Sequence, residues 1–431
     1  MSQNATLFVA LSTGQNIANL LPILELFEPG DRVLWIESAT AQRLGWSIGP
    51  CEVLRRHGID EVEIARLADD DPGSCYRLLS ESDSVRAAGA VRLVSNGGTK
   101  PQMLAAFQAL SGRLTELLYN HDRQCVLERY PHPPQGTVSR VPYGRHRIDL
   151  MDVLACNRME IVPGKEECVW PGEPPALPDY GKDPFYTKDR HARIWQWVHD
   201  RPPRPEKAFT YEKASQLAPE QKQRLRNNIL EGCGLPADTT IKSEKGMLAR
   251  VYNSAHKLDL EAWEQQAKRV STEEAPNVGR EFEDAVAARL LVWLAKQPLF
   301  SQIVQSVWRN VSVRRQGSRE DAAELDIALL LKNGLLLHFE CKSFDAALKD
   351  MDARLAVLQR SASQLARIAI CIPSYSGLDN APWCNELSQN VKKISGWKQF
   401  EKIEFTLPGQ PGTSFEDSIE AWLRRWLPPD E

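Results

Sequence analysis

The stretches that decide how this chain folds are Ala323-Glu324-Leu325-Asp326-Ile327 and His338-Phe339-Glu340-Cys341-Lys342. Apolar runs flank the acids in both stretches, and an Asn333-Gly334 pair between two such runs is a strong signal for a β-hairpin. Glu340 and Lys342 lie two positions apart, so on a strand their side chains leave the same face. The sequence therefore predicts a hairpin on which two carboxylates and an ammonium group converge.

The apolar content of this hairpin bears on what its acids do. Acids on the exposed face of an edge strand are ordinary, and a Glu-x-Lys tripeptide often arises by chance. Leucines on both sides of the turn, together with Phe339, indicate a core position instead, where charges are rare unless they are paired or bound to a metal ion. Carboxylates beside an ammonium group suit a Mg²⁺ or Mn²⁺ ion that assists phosphodiester hydrolysis. Upstream, a helical segment opening with Gly279-Arg280-Glu281-Phe282-Glu283 can supply a third acid.

In type and order these residues resemble the PD-(D/E)xK nuclease superfamily, the fold of many restriction endonucleases. Such a core carries a helix glutamate, then an aspartate, then Glu-x-Lys. The resemblance implies a restriction-endonuclease-like α/β domain over residues 275–431, with Asp326, Glu340 and Glu283 as metal ligands. It also implies that Lys342 is the catalytic lysine. Leu325 stands where the family has proline, a common departure that removes no acid.

Two polar loops near the other end of the chain each follow a short apolar strand and precede a helix-like run. They are Ser12-Thr13-Gly14-Gln15-Asn16 and Ser95-Asn96-Gly97-Gly98-Thr99-Lys100. In open α/β sheets such loops lie at the carboxyl ends of parallel strands, where ligands bind and helix N-termini favour phosphate. No fingerprint of an ATP-hydrolysing loop or a dinucleotide site is present. The loops therefore predict a nucleotide site, although tight strand-to-helix turns use the same residue types.

The Asn-Gly-Gly-Thr-Lys sequence resembles the ligand loop of the CRISPR-associated Rossmann-fold (CARF) domain, a sensor for cyclic oligoadenylates, and the first loop matches the position of that family's first-strand loop. The resemblance implies a ligand site formed by Ser12, Thr13, Gln15, Asn16, Asn96, Gly97, Gly98, Thr99 and Lys100. Together with the nuclease module, the chain resembles a type III CRISPR ancillary nuclease. That resemblance implies a homodimer that cleaves DNA and/or RNA. It also implies that a cyclic oligoadenylate is the allosteric activator, with cyclic tetra-adenylate as the favoured ring size.

The order of apolar and polar segments predicts how the chain is divided. From residue 6 to about 130, short apolar strands alternate with helical stretches, which indicates a mostly parallel sheet covered on both faces, as in a Rossmann-like domain. Its last two strands can pair locally. Prolines are frequent over residues 163–184 and indicate an extended linker. We expect a sensor domain over residues 1–160, a proline-containing linker and helical connector over 161–274, and the nuclease domain over 275–431.

Composition fits this division without suggesting a function. The chain has 431 residues, with 53 basic and 57 acidic side chains, so no overall positive charge marks it for nucleic acid. Its nine cysteines form no Cys-x-x-Cys pair, which argues against a structural zinc site. No signal peptide or long apolar span is visible, so we expect a cytoplasmic protein without a membrane anchor.

Two other functions remain compatible with the sequence. The chain could be an unregulated restriction or repair nuclease whose N-terminal domain only dimerises, in which case it would cleave without a messenger. It could instead be a nucleotide-responsive scaffold or regulator with a degenerate nuclease domain. The second alternative requires the acids and the lysine to be incidental, yet all four expected groups are present in order.

Overall fold

The computed structural model of this chain describes residues 5–121, 124–134, 137–144, 148–164, 166–177, 218–220, 223, 227, 278–342, 348–362, 366–374, 389, 400–409 and 412–427. The chain forms two compact units, one made of Met1–Pro178 and Phe282–Glu431, the other of Asp179–Glu281. Almost all of the second unit, and with it most of the predicted helical connector over residues 161–274, lies outside the described residues. Both sheets described below belong to the first unit.

The first sheet has seven strands in the order β3-β2-β1-β4-β5-β6-β7. Its strands are β1 (Thr6–Leu11), β2 (Arg32–Glu37), β3 (Val62–Arg66), β4 (Ala90–Val94), β5 (Leu114–Asn120), β6 (Val126–Pro131) and β7 (Ser139–Pro142). Strands β1 to β5 pair in parallel, whereas β5, β6 and β7 pair antiparallel. The predicted Rossmann-like, mostly parallel sheet is confirmed, as is the local pairing of its last two predicted strands.

Helices connect these strands and cover both faces of the sheet. They are α1 (Asn16–Leu26), α2 (Ala39–Leu44), α3 (Ile48–Arg56), α4 (Pro72–Glu81), α5 (Asp83–Ala87), α6 (Lys100–Leu110) and α7 (Leu150–Ala155). Strand β1 shows why two faces are covered: Leu7 and Val9 belong to one apolar core, and Phe8 and Ala10 belong to another. Alternate side chains of a strand leave opposite faces, so its continuous apolar run requires burial on both.

The second sheet has the order β14-β13-β12-β11-β10-β8, with β9 also paired to β10. Its strands are β8 (Met159–Ile161), β9 (Glu167–Trp170), β10 (Val304–Arg315), β11 (Asp321–Leu331), β12 (Leu336–Cys341), β13 (Arg367–Ser374) and β14 (Phe400–Thr406). The accompanying helices are α8 (Val278–Ala295), α9 (Pro298–Ser301), α10 (Leu348–Ser361) and α11 (Phe415–Leu423), followed by a 3₁₀ turn at Arg424–Trp426. The predicted second α/β domain is therefore confirmed.

Strand β9 comes from the segment over residues 163–184 whose proline content predicted an extended linker, and β8 lies just before that segment. Both pair antiparallel with β10, so this segment extends the second sheet rather than only crossing between sheets. The predicted boundaries at residues 160 and 274 stay a prediction. No helix in the described part of the chain is long and apolar enough to cross a membrane.

One apolar core joins the two sheets. It contains Leu20 and Leu24 of α1 together with Leu330 and Leu336, which lie on the two strands of the predicted hairpin. The turn of that hairpin lies against α1, because a Cβ atom added to Gly334 would be 2.6 Å from Cγ1 of Ile17. The helix that follows the first polar loop is thus packed directly on the hairpin that carries the predicted catalytic acids.

Candidate functional site

The predicted hairpin is formed by β11 and β12, with Ile327 opposite Phe339. At its turn, the Gly334 N–H donates to the Leu331 carbonyl at 2.9 Å, and the Leu331 N–H donates to the Leu335 carbonyl at 2.9 Å. Gly334 has φ +78°, a left-handed conformation that favours glycine. The turn therefore has the three-residue form in which a left-handed residue closes the loop.

Glu340 lies at the centre of the site and is fully buried on β12. Its Oε1 atom is 2.5 Å from Nζ of Lys342, which confirms that these two side chains leave the same face of the strand. Its Oε2 atom accepts a hydrogen bond of 2.7 Å from Arg354 on α10. Burial alone would raise the pKa of Glu340, but the positive charges beside it, which near pH 7 are those of Lys342 and Arg354, hold it below its usual range. Glu340 is thus a buried carboxylate that stays ionised.

Asp326 on β11 belongs to the same cluster. Its Oδ2 accepts a hydrogen bond of 2.7 Å from the Cys341 N–H, which ties the aspartate to the neighbouring strand. Burial, followed by the negative charges of Glu340 and Glu283, raises the pKa of Asp326 well above its ordinary value. These carboxylates repel one another in a buried site with little water, and a bound divalent cation would relieve that repulsion.

Glu283 on helix α8 is half-buried and interacts electrostatically with the cluster, but its carboxylate is not among the donor atoms that lie within 4.8 Å of one another. Burial and then the charge of Glu324 raise the pKa of Glu283, and Lys342 opposes that shift. The helix glutamate, the strand aspartate and the Glu-x-Lys pair therefore interact electrostatically, as the sequence order predicted. Their assignment to metal binding and catalysis stays a prediction.

His338 also belongs to this cluster, although it was not among the predicted site residues. Its Nε2 atom accepts a hydrogen bond of 3.2 Å from the Asp326 N–H and lies 3.5 Å from Oε2 of Glu340. The ring is buried, and burial lowers the pKa of His338 to about 4, so the imidazole is neutral near pH 7. Donor atoms of Asp326, His338 and Glu340 lie within 4.8 Å of one another, a grouping that fits a metal ion. Its position two residues before Glu340 was a signal that could have found it.

Arg354 was also missed, because it comes from the helix after the hairpin and no local pattern connects it to Glu340. Its side chain is about one-third exposed, so the guanidinium extends from the buried carboxylate toward solvent. The site therefore contains two cations on one glutamate, of which the sequence motif shows only Lys342.

The two predicted ligand loops meet at the carboxyl edge of the first sheet. Strands β1 and β4 are neighbours, with Ala10 opposite Val94, so the loops that follow them are adjacent. A Cβ atom on Gly97 would overlap the Leu11 carbonyl oxygen, so only glycine allows the second loop to pass this close to the end of β1. The helices α1 and α6 begin at this same edge.

Several predicted ligand residues are engaged in holding the loops in place. Nδ2 of the buried Asn16 donates to the Trp46 carbonyl at 2.5 Å, and its Oδ1 accepts from the Thr13 N–H at 3.0 Å. Asn96 exchanges hydrogen bonds with the backbone of Asn120, at 2.9 and 2.7 Å. The Ser12 hydroxyl accepts a hydrogen bond of 3.1 Å from Ser47. These contacts determine loop shape, so we assign these side chains a structural role beside any contact with a ligand.

Other predicted ligand residues face outward. Gly98, Thr99 and Lys100 are exposed, although the Thr99 hydroxyl also caps α6. Thr13 and Gln15 are half-buried at the start of α1. The structure thus places all nine predicted ligand residues at one edge of the sheet and leaves part of them accessible to a ligand.

Trp46 adds an aromatic group that the sequence analysis did not select. It is half-buried, and a Cβ atom on Gly14 would lie 3.6 Å from its ring, so the indole borders the first loop. The short helix α2 ends just before it, at Leu44. Nothing in the local sequence indicated that this turn would bring the indole to the loop.

Three solved structures are similar to this chain over nearly its whole length. Protein VC1899 from Vibrio cholerae is 15% identical, with a TM-score of 0.57, over 97% of this chain and 98% of its own. Can2 from Sulfobacillus thermosulfidooxidans, solved in complex with cyclic tetra-adenylate, is 15% identical, with a TM-score of 0.54, over 98% and 99% of the two chains. The chain shares their fold. A type III CRISPR defence DNA nuclease activated by cyclic oligoadenylate is 16% identical, with a TM-score of 0.50, over 99% of this chain and 52% of its own.

The resemblance to a CARF-containing nuclease is thereby supported at the level of the fold, including both sheets. No family model matches the sequence, and no curated protein matches it. At these identities the likeness concerns architecture, so residue roles must come from the site itself.

Proposed function

We propose that this chain is a metal-dependent nuclease that a cyclic oligoadenylate activates, in type III CRISPR antiviral defence. The observation that carries the proposal is the convergence of Asp326, Glu340 and Lys342 in one cluster, with Glu283 near enough to interact with their charges. The same compact unit also contains the two ligand loops. Proteins of this fold include one solved with cyclic tetra-adenylate and one described as a nuclease activated by cyclic oligoadenylate, which supports both halves of the proposal.

The donor atoms fit a divalent cation of the Mg²⁺ or Mn²⁺ type. Asp326 and Glu340 would hold it through carboxylate oxygens, and Glu283 would complete its shell or help hold a second ion. The Nε2 atom of His338 lies beside them and would ligate an ion only by giving up the hydrogen bond that it accepts from the Asp326 N–H; imidazole suits Mn²⁺ better than Mg²⁺. When bound, such an ion lowers the pKa of a water molecule and stabilises negative charge on the reacting phosphate.

The chain's own residues set up the chemistry around that ion. The hydrogen bond from the Cys341 N–H fixes the Asp326 carboxylate, and the cations on Glu340 fix the other carboxylate. Lys342 lies at the edge of the cluster and is about one-fifth exposed, and this position supports assigning its ammonium group the role of orienting an attacking water. Fixed charges of this kind lower a barrier because they need no reorganisation during the reaction.

The sensor half would bind the messenger at the carboxyl edge of the first sheet. Accessible N–H, hydroxyl and ammonium groups of Thr13, Gln15, Gly98, Thr99 and Lys100 suit ribose, base and phosphate, and the N-termini of α1 and α6 favour anions. A cyclic oligoadenylate with two-fold symmetry is best matched by two copies of the same loops. We therefore propose a homodimer with its two-fold axis at this edge.

Helix α1 offers a direct route from messenger to nuclease. It begins at the first ligand loop, and its Ile17 and Leu21 side chains lie against Gly334 at the hairpin turn. A shift of α1 would therefore press on the element that carries Asp326 and Glu340. For activation, the messenger must bind the active arrangement more tightly, and about 5.5 kcal/mol of difference moves a population from 1:99 to 99:1.

The test is a cleavage assay on single-stranded DNA, single-stranded RNA and supercoiled plasmid, with Mn²⁺ or Mg²⁺, with and without cyclic tetra- or hexa-adenylate. We expect cleavage only when ion and messenger are both present. Cleavage without any messenger would reduce the first sheet to a dimerising scaffold. No cleavage of any substrate would leave a nucleotide-responsive binding protein.

Two variants separate the halves of the proposal. Lys342→Ala should abolish cleavage while leaving messenger affinity unchanged, because it lies in the second sheet's cluster. Lys100→Ala should weaken messenger binding and leave the ion site intact. If Lys342→Ala cleaves at the wild-type rate under the same ion and salt, the assignment of the active site is wrong.

A further inference from the structure

Arg354 connects the buried centre of the candidate site with its solvent-exposed rim. Its Nη1 atom donates to Oε2 of Glu340 at 2.7 Å, and Glu340 is fully buried. The arginine side chain itself is 36% exposed. It lies on α10 directly before Leu355, which belongs to the apolar core, so the arginine stands at the border between the core-facing and solvent-facing sides of the helix.

Most of the guanidinium makes no hydrogen bond with the residues that the structure describes. An arginine offers five N–H donors in a planar fork. Among the residues that the structure describes, Glu340 is the one group that accepts a hydrogen bond or an ion pair from Arg354. Since the side chain is also partly exposed, no described residue occupies the remaining donors, which a group arriving from solvent can contact.

The charge of Arg354 exceeds what Glu340 needs. Lys342 already pairs with the other oxygen of that carboxylate, at 2.5 Å. A residue that served only to neutralise Glu340 would be redundant with this lysine. The interior of the cluster stays acidic through Asp326 and Glu283, but the exposed part of the Arg354 guanidinium presents positive charge to solvent at its mouth, where it can meet an anion.

We propose that Arg354 is a further catalytic residue, which holds Glu340 with one N–H and binds a phosphate of the nucleic-acid substrate beside the scissile bond with the others. The planar fork matches two phosphate oxygens at once, which a lysine ammonium cannot do. This inference rests on the proposed nuclease function.

The test compares Arg354→Ala and Arg354→Lys with Arg360→Ala, a control on an exposed position of the same helix. Binding of a fluorescein-labelled single-stranded oligonucleotide is measured by anisotropy in EDTA, with cyclic tetra-adenylate present, over a series of salt concentrations. Arg354→Ala should bind the oligonucleotide about tenfold more weakly than the wild type, because it loses one charge-assisted hydrogen bond to a phosphate. Its salt slope should fall by about 0.7, the value for one phosphate contact on a single strand. Arg360→Ala should match the wild type in both.

Two further readouts separate substrate binding from a purely structural role. Mn²⁺ affinity, measured by electron paramagnetic resonance, should not weaken in Arg354→Ala, because removing a cation beside Glu340 increases the attraction for an ion. Arg354→Lys keeps the charge and the pairing, so it should fold and keep the salt slope, yet cleave at least about tenfold more slowly.

The outcomes distinguish this inference from the proposed function. If Arg354→Ala binds the oligonucleotide with wild-type affinity and salt slope, or if Arg354→Lys cleaves like the wild type, Arg354 only orients Glu340 and the inference is wrong. If the wild-type protein itself binds no oligonucleotide and cleaves none, the proposed nuclease function fails, and the inference fails with it.

Discussion

Replacing Gly334 with alanine tests the contact between the two sheets. Gly334 has φ +78°, and an added Cβ atom would lie 2.6 Å from Ile17 Cγ1 and 3.2 Å from Leu21 Cδ1. The left-handed conformation costs alanine about 1–2 kcal/mol. Overpacking against α1 adds about 1–3 kcal/mol, because both neighbours are buried. We therefore expect Gly334→Ala to lower the free energy of unfolding by about 2–5 kcal/mol.

Gly317, in the turn between β10 and β11, provides a matched control. It has the same φ of +78°, but no heavy atom lies within 4 Å of the position of its Cβ. Gly317→Ala should cost only the conformational part, about 1–2 kcal/mol. Urea unfolding followed by tryptophan fluorescence gives both values, and their difference isolates the contact with α1.

A double-mutant cycle locates that contact. Ile17→Ala removes the atom nearest to the new methyl group, so it should cost about 1–3 kcal/mol less in the Gly334→Ala background than in the wild type. If Gly334→Ala is no more destabilising than Gly317→Ala, or if positions 17 and 334 are additive, α1 does not press on the hairpin turn. In that case the proposed route of activation loses its structural basis.

Three further predictions concern the cluster, the core and the ligand loops. Asp326 has a raised pKa and must lose its proton to hold a cation, so Mn²⁺ affinity should keep rising above about pH 6, where a site with ordinary carboxylates would have reached a constant affinity. Glu283→Gln removes a negative charge that raises this pKa, so it should move the rise in affinity to lower pH. Titrations followed by electron paramagnetic resonance measure both effects. Glu416→Ala should lower the free energy of unfolding by about 3 kcal/mol in urea, since it leaves the buried Arg289 without its carboxylate. Lys100→Ala should weaken cyclic tetra-adenylate binding in calorimetry by about tenfold, the value of one charge-assisted contact, and an unchanged affinity would remove Lys100 from the ligand site.

The elements that the sequence predicted correctly are those whose signal is local. The hairpin was predicted because its turn residues and its apolar flanks lie within a few positions of one another, and the parallel strands because their apolar runs are continuous. The shared face of Glu340 and Lys342 follows from the two-residue period of a strand, and the ion pair between them confirms it.

The features that the sequence did not predict depend on contacts between distant segments. Strands β8 and β9 are short and their role is visible only in their pairing with β10. Arg354 reaches Glu340 from a separate helix, and an arginine on a helix is ordinarily solvated. Asn96 was predicted correctly to lie in the loop. Nothing in the sequence indicated that its side-chain amide would hydrogen-bond to the backbone of Asn120.

The position of the hairpin within the second sheet limits how a messenger can control the acids. Strand β12 pairs with both β11 and β13, and β11 also pairs with β10, so neither strand of the hairpin is an edge. Moving the hairpin alone would break ladder hydrogen bonds on both sides, each with a net value of about 1 kcal/mol. A push from α1 on the turn is therefore transmitted to the whole sheet as a rigid body. Under the proposed mechanism, activation changes how the catalytic clusters of two copies are presented to the substrate, while the cluster itself keeps its shape.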